Sequence, residues 1–254
     1  MRILMYHRVD PVSCRFSVRP EPFEQQAAWL AGRGEAGLTL RDALGLRPRR
    51  AVVLTFDDGF ADTYTEARPI LDRYGLTATI FVVTDLVGQR ASWRNAYPAA
   101  PLLDWAQMRE MAAGGYEFGS HTATHLDVRP AGDEEVYEEL VRSKAVLEEQ
   151  LGQEVVSFAY PYGYFRPALP ELLARAGYRC AVLAGGYRDN GKSSDVFGLS
   201  RTPVWGEDSI RTFQLKARGW LAYRYYTEKL GAECRYEWKR LLRRCGRGRQ
   251  SRLA

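Results

Sequence analysis

Two of the chain's three histidines, His121 and His125, stand four residues apart in GSHTATHLD (119–127), separated only by small or hydroxyl side chains. On a helix this spacing puts two imidazoles on one face, but the zinc-protease version needs Glu beside the first histidine, and Thr122 is there. The other geometry is a strand end and turn from which both rings converge on one cation, with an anionic ligand arriving from a neighbouring strand. Bystander histidines held by hydrogen bonds are the plain alternative. LTFDDGF (54–60) carries the only adjacent Asp pair, Asp57 and Asp58. A lone Asp-Gly here would read as a turn that caps the next helix. Two carboxylates side by side repel unless a cation or separate roles relieve them. A zinc ion held by two neutral imidazoles and one carboxylate, with water in its open position, leaves the second carboxylate free to act as a base.

Such convergence needs a scaffold that brings distant segments to one place. Strand-like and helix-like segments alternate from the first residue to about residue 216. Apolar runs at 3–7, 51–56, 77–83, 116–121, 154–160 and 178–183 read as strands. Helical spacing follows them at 20–32, 60–75, 133–150 and 167–177, and Asp104 with Gln107 forms a capping-box start for a helix from Trp105. Continuous apolar strands, each followed by a helix, indicate a parallel sheet buried on both faces. About seven such units in one domain favour a closed or nearly closed β/α barrel, whose sites lie at the C-terminal ends of strands. His7, the Asp57–Asp58 pair, His121 and the turn Pro161-Tyr162-Gly163 all fall at or just beyond a strand end.

TFDDG (55–59), SHTATH (120–125) and AYPYG (159–163), in that order, resemble the motifs of the NodB-homology polysaccharide deacetylases, carbohydrate esterase family 4. The resemblance runs over about residues 1–216. It implies a distorted (β/α)7-type barrel, a divalent metal and hydrolysis of N-acetyl groups on amino-sugar polymers. Zinc is the expected metal, with cobalt, nickel or manganese as alternatives. Carried over by position, Asp57 looks like the base and Asp58, His121 and His125 like the metal ligands. Pro161, Tyr162 and Gly163 resemble the groove wall whose backbone N–H, at Tyr162, helps to hold the oxyanion.

The chain departs from the family pattern twice. The family commonly places a general acid on a histidine near the C-terminus, yet no histidine follows His125. Some biofilm-type members are circularly permuted and use an N-terminal histidine; MYHRV looks similar, which makes His7 the expected acid. The family also has an arginine two residues before the Pro of its third motif, where Ala159 stands here. Arg201, at the end of GLSRTP, is the first substitute for orienting the base, and Arg166 the second. Among the aromatic residues near the motifs, Tyr162 and Trp205 are the expected contacts for sugar rings.

Composition narrows the class. Of 254 residues 46% are hydrophobic, enough for a sizeable core, and no apolar run spans a bilayer. The four cysteines, Cys14, Cys180, Cys234 and Cys245, form no metal-finger spacing and read as isolated thiols. Residues 235–254 hold eight Lys or Arg against one acid, so of the net +5 a share of +7 lies there and the first 234 residues carry −2. No nucleic-acid footprint therefore runs through the body of the chain. Residues 217–254 read as a basic amphipathic helical extension with a disordered tail, able either to touch anionic lipid or to pack on the barrel. MRILMYHRVD turns polar too early for a signal peptide, so the expected location is cytoplasmic or peripheral to the inner face of the membrane.

The sequence thus predicts a metal-dependent N-deacetylase acting on a bacterial polysaccharide or its lipid-linked precursor. The alternatives are an amidohydrolase for a small N-acyl substrate and a catalytically silent carbohydrate-binding barrel. Retention of Asp57, Asp58, His121 and His125 argues against the silent barrel.

Overall fold

The computed structural model describes residues 1–12, 14–46, 51–93, 100–186, 190–191 and 194–219. Its strands are β1 (Arg2–Tyr6), β2 (Arg8–Val9), β3 (Ser17–Val18), β4 (Ala36–Leu38), β5 (Val52–Phe56), β6 (Thr79–Val82), β7 (Glu117–Ser120), β8 (Ser157–Ala159), β9 (Cys180–Gly186) and β10 (Leu199–Pro203). The helices are α1 (Pro20–Ala31), α2 (Leu40–Leu46), α3 (Arg68–Arg73), α4 (Trp105–Ala113), α5 (Asp133–Leu151), α6 (Leu169–Arg175) and α7 (Ile210–Arg218).

Seven parallel strands close into a barrel in the order β1-β10-β9-β8-β7-β6-β5, with β1 pairing back onto β5 from Arg2↔Val52 to Tyr6↔Phe56. An eighth strand, β4, pairs with the start of β5, and β2 with β3 forms a separate two-stranded ribbon. The expected barrel is present.

Both faces of the barrel strands are buried, except along the last four residues of β9, which is why the strands read as apolar runs. Ile3, Val53, Phe81, Ala159, Cys180, Val182 and Leu199 fill the interior. The alternate residues, among them Leu4, Tyr6, Leu54, Phe56, Ile80, Val82, Phe118 and Phe158, form the layer under the helices with Phe23, Leu71 and Leu140. At Gly119 the interior tolerates no side chain: a Cβ would lie 2.7 Å from the Phe81 ring and 2.5 Å from Ser157 Oγ. The period of two matters for function, because it continues past the strand ends. His7 is in phase with Ile3 and Met5, Asp57 with Val53 and Thr55, and His121 with Glu117 and Gly119.

The bottom of the barrel is closed by α2, which the alternating pattern did not disclose. Leu40 and Ala43 enter the interior cluster, the Leu40 N–H donates to Thr79 Oγ1 (2.8 Å), and the Arg41 N–H donates to the buried Glu117 (2.9 Å). The helix predicted over 60–75 is a five-residue π-helix, Thr63–Ala67, running into α3. The capping box at α4 is complete, with Gln107 N–H donating to Asp104 Oδ1 at 2.8 Å and Asp104 N–H to Gln107 Oε1 at 3.0 Å. At the C-terminal side, α7 crosses the expected domain boundary at 216 and ends on Gly219, at φ 77. Its Phe213 ring meets Trp29 of α1 edge-on at 5.9 Å. The predicted basic extension beyond Gly219, with Cys234 and Cys245, lies outside the described residues. Cys14 and Cys180 are both free thiols. No helix among the described residues is long and apolar enough to cross a membrane.

Candidate active site and metal centre

The C-terminal mouth of the barrel opens into a cavity of ≈ 460 Å³ lined by His7, Asp57, Asp58, His121, His125, Tyr162, Gly163 and Trp205. All four motif-bearing strands deliver to it, through residues one to five positions past the strand end.

Asp58, His121 and His125 offer ligand atoms that all lie within 4.8 Å of one another. Asp58 Oδ1 sits 3.4 Å from His121 Nε2 and 3.3 Å from His125 Nε2. All three residues are buried. One carboxylate oxygen facing two imidazole nitrogens is the donor set of a borderline divalent cation such as zinc, so the residues present fit a metal. Burial raises the Asp58 carboxyl, but hydrogen bonds from both imidazoles outweigh it and hold the group well below the usual carboxylate range. Burial lowers His121, and the bond to Asp58 more than offsets it, leaving that imidazole raised. His125 is lowered, first by burial and then by the neighbouring His121. Burial and the Asp58 contact thus push the two imidazoles in opposite directions, His121 up and His125 down.

Asp57 faces a different partner. Arg201 comes from β10, 144 residues away, and donates from Nη1 to Asp57 Oδ1 at 2.6 Å and from Nη2 to Oδ2 at 2.7 Å. The guanidinium is itself fixed by Leu183 O (2.7 Å) and Thr55 Oγ1 (3.1 Å), and no part of it is exposed. Burial pushes the Asp57 carboxyl up; the Arg201 charge and its hydrogen bonds override that and keep the group below its ordinary value. Each carboxylate oxygen retains a lone pair after this two-point contact. Arg166, by contrast, pairs with Asp133 at 2.6 Å, so the structure brings Arg201 rather than Arg166 to Asp57.

His7 lies near enough that a charge on its imidazole favours the ionised form of both Asp57 and Asp58. Its ring meets Phe16 edge-on at 5.0 Å, and Phe16 meets Trp205 at 5.3 Å, forming one aromatic wall. Trp205 is anchored through its backbone N–H, which donates to Asp208 Oδ2 (2.8 Å), a carboxylate that the buried Lys216 also contacts. On the opposite wall, Trp93 stacks on His125 at 4.6 Å and Tyr162 meets the same imidazole edge-on at 4.4 Å. The turn at Pro161–Gly163 places Tyr162 at φ 58, and Gly163 approaches Ala184 so closely that a Cβ would lie 2.5 Å from Ala184 Cβ.

Four non-glycine residues have positive φ among the described residues: Asp58 (75), Thr122 (65), His125 (63) and Tyr162 (58). Asp58, His125 and Tyr162 line this cavity, and Thr122 is buried in the turn that carries His125. Each such backbone costs about 1–3 kcal/mol and persists only where its surroundings over-determine it. Sequence reasoning did not single out Phe16, the stack of Trp93 on His125, or the loop contacts of Glu139. Trp93 sits in ASW with no periodic context, and Glu139 looks like any acidic residue of an exposed helix.

A polysaccharide deacetylase family model matches residues 45–181. The poly-β-1,6-N-acetyl-D-glucosamine N-deacetylase of Staphylococcus aureus is 28% identical over 178 residues, which are 65% of this chain and 60% of that protein. The chain spans about three fifths of the length of the curated relatives it matches. Among solved structures, the deacetylase PplD of Streptococcus pyogenes, in complex with acetate, superposes with a TM-score of 0.75 at 28% identity, covering 85% of this chain and 97% of that one. IcaB from Ammonifex degensii gives 0.73 at 28% identity, with 86% and 95% covered.

Proposed function

The chain belongs to the polysaccharide deacetylase family, and from that premise we propose that it is a metal-dependent N-deacetylase of an amino-sugar polymer. The observation that carries this reading is the meeting of Asp58 Oδ1 with both imidazole Nε2 atoms, 3.3 and 3.4 Å away, beside a carboxylate clamped separately by Arg201. A divalent cation held by Asp58, His121 and His125, with zinc as the first choice, supplies Lewis acidity, polarising an amide carbonyl and acidifying water.

The remaining work belongs to the chain. Asp57, kept ionised and oriented by Arg201, takes the proton of the attacking water. The backbone N–H of Tyr162 donates to the oxygen on which negative charge develops, a contribution worth roughly 3–4 kcal/mol per donor. His7 returns a proton to the amine nitrogen, which leaves poorly as an anion. The walls made by Phe16 and Trp205 on one side and Trp93 and Tyr162 on the other exclude water and present ring faces to the sugar.

The Staphylococcus aureus relative is named for poly-β-1,6-N-acetyl-D-glucosamine, and acetate is present in the Streptococcus pyogenes structure. Oligomers of β-1,6-linked N-acetylglucosamine are therefore the first substrates to test. Acetate release from them should require added divalent metal, should stop on chelation, and should exceed release from small N-acyl amides. Equal or greater turnover of the simple amides would reject a glycan substrate. We propose further that the basic segment 235–254 carries the enzyme to anionic lipid at the inner face of the membrane. The full chain should co-sediment with anionic but not neutral vesicles and be released as salt rises; binding indifferent to lipid charge would count against it.

A further inference from the structure

The two histidine ligands are not held in the same way. His121 fixes its ring through Nδ1, 2.8 Å from the carbonyl oxygen of Ala159. His125 Nδ1 is buried with no hydrogen-bond partner among the described residues. A metal-binding imidazole ordinarily takes its orientation from a bond at the second nitrogen. His125 must take it from its backbone and from the rings of Trp93 and Tyr162.

That backbone is strained on both sides of the turn, with Thr122 at φ 65 and His125 at φ 63. Thr122 is β-branched, for which this region is a genuine outlier. Local groups satisfy the ends: Thr122 N–H donates to Ser120 Oγ (3.1 Å) and Leu126 N–H to Thr122 Oγ1 (3.0 Å). The centre is gripped from α5. Ala123 and Thr124 N–H both donate to one oxygen, Glu139 Oε2, at 2.9 Å each. Glu139 is 7% exposed, and its other oxygen accepts from Arg142 Nη2 at 2.7 Å. Arg142 Nη1 in turn donates to Asp85 Oδ2 (2.8 Å), and the Asp85 N–H donates to the carbonyl of Ala123 (2.9 Å). The turn is thus held at its N–H groups and at a carbonyl by two elements that Arg142 ties together.

We infer that Glu139 is the positioning residue of the second histidine ligand: its Oε2 fixes the strained Ala123–Thr124 turn and thereby aims His125 Nε2 at the cation. The inference rests on reading Asp58, His121 and His125 as a metal site. Glu139 does for His125, through the main chain, what the Ala159 carbonyl does for His121 through the ring.

Apparent zinc affinity, read by competition with a chromophoric chelator, tests it on the full chain, alongside kcat at saturating zinc and thermal unfolding of the chelator-treated protein. Glu139→Ala should weaken zinc roughly 10–100-fold, as outer partners of metal ligands generally do. Glu139→Asp, one methylene short of the two N–H groups, should weaken it too, and carries the test if the alanine variant does not fold. Glu139→Gln should stay within a few fold of wild type, because its single carbonyl oxygen can accept both N–H groups while the exposed Arg142 turns to solvent. Glu138→Ala, exposed on the same helix, controls for effects on α5 alone. Wild-type affinity in the Ala and Asp variants overturns the inference, as does an equal loss in Gln and Ala. A wild-type protein that binds no zinc, or a His125→Ala variant that binds as tightly as wild type, overturns the metal reading instead.

Discussion

For Asp57 to serve as the proposed base two demands compete: it must be ionised and aimed, yet a base held too firmly in its ionised form accepts protons poorly. Arg201 settles the balance by approaching both oxygens in the carboxylate plane. Removing it as Ala strands a buried carboxylate and should cost about 3–5 kcal/mol of stability. Arg201→Lys keeps the charge and loses the two-point contact. Because the folded Asp57 titrates below its ordinary value, its contribution to stability is present above the unfolded carboxylate pKa and disappears as pH falls through the depressed one. Weakening the clamp raises that pKa. The acidic limb of kcat/KM in Arg201→Lys should therefore move to higher pH, and an unmoved limb would separate Asp57 from the proton transfer. His7→Ala should retain bound zinc while turnover falls roughly 10²–10⁴-fold, the usual share of a general acid; full turnover would remove His7 from the reaction.

Elements set how far these side chains can stray. The capping box at the start of α4 is one such fixture, and Asp104→Ala should lower unfolding free energy by about 1 kcal/mol, measurable as a fall in denaturant midpoint. An unchanged midpoint would mean that the α4 N-terminus is held by its packing alone. That cap was legible in the sequence because its two residues are three apart and interact only with each other's backbone. The barrel strands were legible for a similar reason: Val52–Phe56 is buried on both faces, so its burial is written in five consecutive residues. Asp58 and His121 could be placed together because each closely follows such a strand; His125 joined them by its four-residue spacing from His121, and their roles as ligands came from the family resemblance. Arg201 could be preferred to Arg166 because GLSRTP reads as a strand end, whereas its two-point clamp on Asp57, 144 residues away, depends on barrel register, which spacing does not encode. The plug helix α2 was missed because its apolar residues follow neither a strand period nor a long helical one, and the π form of the helix predicted over 60–75 has no signature in its spacing.

On the scale of the molecule, the closed sheet creates an interior that must accommodate one charge at its foot. Glu117 is 3% exposed, and accepts from Arg41 N–H, Thr79 Oγ1 and Ser157 Oγ. Burial raises its carboxyl above the ordinary 4.5, more than these donors lower it. A raised folded pKa means that the stability it confers is complete below the unfolded value and is lost as pH climbs through the folded one. Glu117→Gln can keep the bonds from Arg41 and Thr79 and donate to Ser157, without ever ionising. As pH rises above the ordinary carboxylate value the variant should lose less stability than wild type in urea unfolding; parallel pH profiles would show that burial does not raise the Glu117 carboxyl.

The first strand and the last are neighbours in the closed wall, Met5 beside Pro203, and the guanidinium that steadies Asp57 also arrives on that last strand. During synthesis, therefore, a nascent chain halted before residue 199 would already display both aspartates and all three histidines and still be inert. Its opening strand would lack one flank and its base would lack a counter-charge. For the proposed reaction, competence would therefore await β10 leaving the ribosome and locking in, so turnover would double as a report that the ring has closed.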